Sequence, residues 1–169
     1  MEPLKPFDAL TKSDGRWEMF RVDLPLLYKI TKDMTLSDEV PEYVLVQFQQ
    51  AQHLIIYSHL QFSLLSVALT QALIAVESAL KGRWMGESEQ HAGGRKPGMK
   101  RLLEIAFNKG WMDGFDMKLI SLIPALRNAS AHGEYNLNPV GTVELVQLCC
   151  RLIQQLYPES ITQKVDHVQ

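Results

Sequence analysis

Arg127 and His132 stand five positions apart in the stretch Leu126 to Gly133, L-R-N-A-S-A-H-G, and are the side chains here best suited to phosphodiester chemistry. Arg offers a planar, permanently charged fork that fits phosphate oxygens, and His, with an unperturbed pKa of roughly 6.5, can give or take a proton near neutrality. Such a pair can move a proton and neutralise developing charge without a metal. On an ideal helix, positions five apart differ by about 140° in direction and about 7.5 Å in rise, so one chain does not aim both groups at one atom. Asn128 can orient Arg127 or donate to a phosphate oxygen. Glu77, the first charge after a long uncharged run, can hold Arg127 or His132 in place; equally, it reads as a solvated Glu near a helix C-terminus. The plain alternative for Arg127 and His132 is a cation and a capping imidazole at a helix end, each favourable by a few tenths to about 1 kcal/mol.

The elements that must position these groups are helical by their periodicity. From Val44, alternate steps of four and three reach Phe48, Ala51, Ile55, Ser58, Phe62, Leu65, Leu69, Ala72, Val76 and Ala79, with only Ser58 breaking the apolar stripe. This predicts a long amphipathic helix from Pro41, capped near Ser37 or Asp38 and closed at Gly82, with a break near Tyr57 to His59 left open. Unbroken, it would reach roughly 60 Å. No Asp, Glu, Lys or Arg occurs between Glu42 and Glu77. Its glutamines and histidines (Gln47, Gln49, Gln50, Gln52, His53, His59, Gln61, Gln71) argue against a membrane span and for a buried or dimer-facing helix. His53 and His59, six apart, are expected to line a helix interface rather than bind metal.

Gly82 to Gly98, with five glycines and a proline, reads as a mobile loop. From Lys81 to Arg101 six cations (Lys81, Arg83, Arg95, Lys96, Lys100 and Arg101) face two anions, Glu87 and Glu89, a local balance of +4. These cations are the candidate nucleic-acid contacts; the order of glycines is not that of a nucleotide-binding loop. Trp84 and Trp111 can stack bases, though anchoring a core or interface is their commoner role. Met99 to Asn108 reads as a short helix. Another starts near Asp113 or Asp116 and runs through Leu119, Ile120, Ile123 and Leu126, with Pro124 bending it one turn before Arg127. Gly133 can take the left-handed conformation that ends it, and a last helix covers about Gly141 to Tyr157.

Composition bounds the whole. The 169 residues, 46% apolar, suit one domain, and a net charge of −2 with pI near 6.2 confines any nucleic-acid contact to a local patch. Cys149 and Cys150 are adjacent, lack metal-ligand spacing, and are expected to be reduced core residues. Met1 to Leu10 does not read as a secretory signal, so a cytoplasmic protein is expected. No cofactor and no metal are called for. Residues 1–36 are expected to form an irregular, extended or short-helical arm, 37–158 a helical bundle, and 159–169 a polar tail.

Arg127, the polar Asn128, three residues and then His132 resemble the Arg-polar-x3-His signature of the HEPN superfamily, all-helical bundles that are often metal-independent endoribonucleases. The likeness covers the signature and, more loosely, the order of helices from about Pro41 to Tyr157. It implies an all-α, HEPN-like four- to five-helix bundle and a homodimer whose two signatures face each other across a cleft. It implies further that Arg127 binds the scissile phosphate while His132 activates the ribose 2′-hydroxyl or protonates the leaving oxygen. Some members paired with nucleotidyltransferases carry Tyr two residues after the His; here Glu134 holds that place and Tyr135 follows. The functional expectation is an RNA-cleaving enzyme of the toxin-antitoxin or phage-defence type, restrained by an antitoxin or sensor protein. The alternative is a catalytically inactive bundle used for dimerisation or protein docking, which the acidic pI favours.

Overall fold

The computed structural model describes residues 5–86, 97–131 and 138–159, without the side chains of 117, 119, 130 and 131. A 3₁₀ turn at Phe7–Ala9 precedes α1 (Arg16–Met19) and α2 (Leu24–Lys32). There follow α3 (Glu42–Tyr57), α4 (Leu64–Gly86), α5 (Met99–Asn108), α6 (Met117–Ser121), α7 (Ile123–Ala131) and α8 (Pro139–Leu156). Among the described residues the regular structure is helical throughout, with no strand. The chain is all-α.

The apolar stripe expected on one long helix is carried by two, α3 and α4, which pack against each other. The break lies at Ser58 to Ser63, and its cause is the arm. In a continuous helix the amide of Phe62 would donate to the carbonyl of Ser58. Instead Trp17 Nε1 donates to Ser58 O at 2.6 Å, and Phe62 N donates to Asp14 Oδ2 at 3.1 Å. Asp14 N also donates to His59 O at 2.8 Å. Residues more than forty positions away thus take both ends of the missing bond. Asp14 in turn accepts from Arg16 Nε at 2.8 Å and from its terminal nitrogen at 2.7 Å, while that guanidinium lies 4.7 Å from the centre of the Phe62 ring. The Arg16 hydrogen bonds hold the Asp14 carboxyl well below the usual carboxylate range, against the opposing effect of its burial.

The arm is short-helical and tied to the bundle. Trp17 and Leu27 are buried in the common core, and Asp23 caps α2 by accepting from Leu26 N at 2.9 Å. At the other end of α2, the Gln52 side-chain amide donates to Thr31 O and Met34 O, each at 3.0 Å.

Central in the bundle is α4, which packs on α3, α5, α7 and α8. Ala68, Ala72, Ala75 and Ala79 are fully buried along it, and these small side chains let the neighbouring helices approach closely. Gly82 does not end this helix, contrary to its expected role. A Cβ there would run into the hydroxyls of Tyr43 and Tyr157, and Tyr157 donates to Ala79 O at 3.0 Å. The glycine makes room for two tyrosines. Burial, with Tyr43 beside it, raises the Tyr157 phenol to about 12. In α8 Cys149 and Cys150 are free and buried, and burial pushes both thiols up to about 12, leaving them neutral and unreactive.

The helix expected to bend at Pro124 is interrupted two residues earlier, at Leu122. Asp116 caps α6, accepting from Lys118 N at 2.8 Å, and Pro124 sits in the first turn of α7, where its missing N–H has no helical partner to lose. Asn138 opens α8 by accepting from Val140 N at 2.8 Å, two residues ahead of the expected start.

Candidate functional site

Where α4, α5 and α7 meet, an open pocket of about 590 Å³ is lined by Glu77, Lys100, Arg101, Glu104, Arg127 and Asn128, with Gly98, Met99 and Pro124. Three separate chain segments supply it. Pro124 fixes the opening turn of α7, and Arg127 and Asn128 follow one turn later. On α4, Glu77 lies opposite them, its side chain 18% exposed.

Glu77 is divided between two cations. Its Oε1 accepts from Lys81 Nζ at 2.6 Å, and its Oε2 lies 3.6 Å from Arg127 Nε, an ion-pair distance rather than a hydrogen bond. Lys81 therefore holds the carboxylate, and the carboxylate draws on Arg127 without engaging its whole fork. The Arg127 side chain is 41% exposed, so its guanidinium can still receive an anion from the pocket side.

The opposite wall is the first turn of α5. Gly98 caps it with extended backbone and no side-chain acceptor, so the turn's amides and its two cations, Lys100 and Arg101, share one end of the pocket. Cations at the positive end of a helix repel its dipole, which makes that end strongly electropositive. Glu104 offsets part of the charge by accepting from Arg101 at 3.0 Å. The resulting field is mixed, with Arg127, Lys100 and Arg101 set against Glu77 and Glu104.

The four described cations of the basic stretch do not gather in one place. Lys100 and Arg101 line the pocket, Lys81 is spent on Glu77, and Arg83 lies 5.5 Å from the centre of the Trp111 ring. Trp111 also has Lys109 Nζ at 5.2 Å, and both Trp84 and Trp111 are partly buried against the core. Arg95 and Lys96 fall outside the described residues, as does most of the expected loop; its beginning, through Gly86, is helical. His132 and Gly133 also lie outside the described residues, the last described position of α7 being Ala131.

His53, expected at a helix interface, is exposed on the outer side of α3, 6.4 Å from the Tyr57 ring centre. His59 sits in the α3–α4 turn. Glu104, Gly98 and Met99 are lining residues that sequence reading missed. The signal for Glu104 was its spacing of three from Arg101, and for Gly98 its place just before a predicted helix. Among the described residues, no group of three His, Cys, Asp or Glu side chains is arranged to hold a metal ion.

No family model matches this sequence, and no curated protein or solved structure is detectably similar to it, so the pocket's own geometry has to carry its interpretation.

Proposed function

We propose that this chain is a metal-independent endoribonuclease of the HEPN type, acting as a homodimer in which Arg127 and His132 of two protomers address one phosphodiester. The observation that carries the reading is the pocket itself. Arg127 and Asn128 line it beside Lys100 and Arg101, an arrangement suited to a phosphate, while Glu77 sets the position of the Arg127 side chain.

In this reading Arg127 binds the scissile phosphate and neutralises charge on the pentacovalent transition state. His132 removes the ribose 2′-hydroxyl proton as the 2′-oxygen attacks phosphorus, or delivers a proton to the departing 5′-oxygen. The P–O5′ bond breaks, leaving a 2′,3′-cyclic phosphate and a 5′-hydroxyl. The nucleophile is already part of the substrate, which supplies the proximity that a bimolecular attack lacks. Lys100 and Arg101 hold neighbouring phosphates, and an antitoxin or sensor protein restrains the enzyme in a cytoplasmic defence or toxin setting.

A test is incubation of the purified protein with single-stranded and structured RNAs in EDTA, followed by analysis of the product ends. Cyclic phosphate ends that disappear in Arg127→Ala and His132→Ala support the reading. Intact RNA under all conditions favours the second reading, a non-catalytic docking module, for which the observation is that Glu77 and Glu104 offset much of the pocket's positive charge.

A further inference from the structure

The exposed side of α3 carries Tyr43, Val46, Gln50, His53 and Tyr57, at successive intervals of three, four, three and four residues. That is a heptad stripe, and it lies opposite the buried stripe of Val44, Phe48, Ala51 and Ile55. It is continued sideways by α4. Gln71 Nε2 donates to Gln50 Oε1 at 2.8 Å across the two helices, and by helical spacing Val67 and Ile74 share the Gln71 side of α4. Glu77 and Lys81 fall on a different side of α4, toward α7.

A solvent-facing helix normally carries charge, and 21% of this chain is Asp, Glu, Lys or Arg. Yet none lies anywhere from Tyr43 to Val76, although several of those positions are exposed. Burial of the inner stripe cannot explain the absence of charge on the outer one. Loss of charge together with exposed Tyr is the compositional mark of an interface centre.

The order of the stripe says what covers it. Read from either end it runs Tyr, aliphatic or His, Gln, His or aliphatic, Tyr, with Gln50 at the middle. Such a pattern is self-complementary under a two-fold axis: an antiparallel second α3 sets Tyr43 against the other protomer's Tyr57, Val46 against its His53, and Gln50 against its Gln50. A carboxamide carries donor and acceptor alike, so it can pair with its own copy where a like charge could not. Tyr43, Val46 and Val67 are each about half exposed and Tyr57 is 56% exposed. Together they offer roughly 400 Å², about half of the roughly 800 Å² per partner in a standard interface, and the Gln, His and Ile side chains between them extend the area.

We infer that the uncharged α3–α4 face is a two-fold interface with a second copy of this chain, centred on Gln50. It leaves the Arg127 pocket uncovered, so it is a different contact from the proposed pairing of motifs across a cleft, and where the two axes meet at right angles the two contacts together close a tetramer. The inference stands whether or not the chain cleaves RNA.

Sedimentation of the full chain with Gln50→Glu and Gln50→Lys tests it, because each variant places two like charges on the axis. The wild type is expected as a dimer or tetramer. Each variant alone should have half that mass, with unchanged helical circular dichroism, and an equimolar mixture of the two should restore the wild-type mass through a Glu–Lys pair. A monomeric wild type overturns the inference, as do variants that keep the full mass and a mixture that fails to reassociate. Wild-type protein that stays monomeric in solution but binds neutral lipid vesicles through this face would assign it to a membrane instead.

Discussion

Asp14 and Arg127 are both charges held by an ion pair, and the two regions of the molecule use them in opposite ways. The Asp14 carboxylate, 8% exposed, accepts from Arg16 and from the Phe62 amide at hydrogen-bond distances. Arg127 has one carboxylate at 3.6 Å, already shared with Lys81, and keeps 41% of its side chain in solvent. A charge whose partners saturate it fixes the chain's path. One left half-engaged at a pocket edge is available to a ligand.

That contrast can be broken by substitution, with the largest effect in the arm. Trp17 fills the core and donates to Ser58 O, so Trp17→Ala is expected to destabilise by about 3–5 kcal/mol in urea unfolding, removing the contact that ends α3. Any RNA cleavage by the folded fraction should persist. A change below about 1 kcal/mol would mean that the arm does not hold the α3–α4 turn.

Asp14→Asn comes next, with a loss of about 1–3 kcal/mol, because it keeps the shape and removes the charge that Arg16 faces. The pH dependence has a definite sign. The folded carboxyl titrates below its unfolded value, so its contribution is fully present above the unfolded pKa of about 4 and is lost as pH falls toward the lower folded one. Thermal melts between pH 7 and pH 2 should show a shallower acid limb in the variant. Parallel limbs for wild type and variant would remove Asp14 as the source.

At the pocket, Glu77→Gln should separate stability from activity. Its partners are each 41% exposed, so the stability change should stay within about 1 kcal/mol. RNA cleavage should nevertheless fall about tenfold in kcat with KM little changed, equivalent to roughly 1.4 kcal/mol, because Arg127 loses the group that positions it. If stability drops as far as in Asp14→Asn while cleavage is untouched, the pocket carboxylate is structural and the contrast disappears.

What the sequence made legible follows from how local the controlling interactions are. The bounds of α5, Met99 to Asn108, were read correctly because the apolar spacing of Leu102, Leu103 and Ala106 and the glycine past its end, Gly110, are all local. The apolar face of α8 was equally plain, since Val143, Val146, Cys149, Ile153 and Leu156 recur at helical spacing. The turn dividing α3 from α4 was only an open alternative, because the groups that take the Ser58 carbonyl and the Phe62 amide come from Trp17 and Asp14. Gly82 read as a stop for the same reason: Tyr43 and Tyr157, which require its missing side chain, are remote in sequence. Pro124 marked an irregularity, but the interruption fell before it, where a first-turn proline costs no hydrogen bond. At the pocket, residue types pointed to Arg127, Asn128 and Glu77, whereas the joining of Lys100 and Arg101 to them, and the diversion of Arg83 to Trp111, depend on how α5 packs.

If one phosphodiester is served by side chains of two protomers, mixing two inactive variants should restore activity. Arg127→Ala and His132→Ala should each lose at least about 100-fold in RNA cleavage in EDTA. When the two are unfolded together and refolded as a mixture, mixed dimers with one intact Arg127 and one intact His132 at the cleft should regain a readily measured part of the wild-type rate. A mixture as inactive as its components, beside an active wild type, would contradict a shared site.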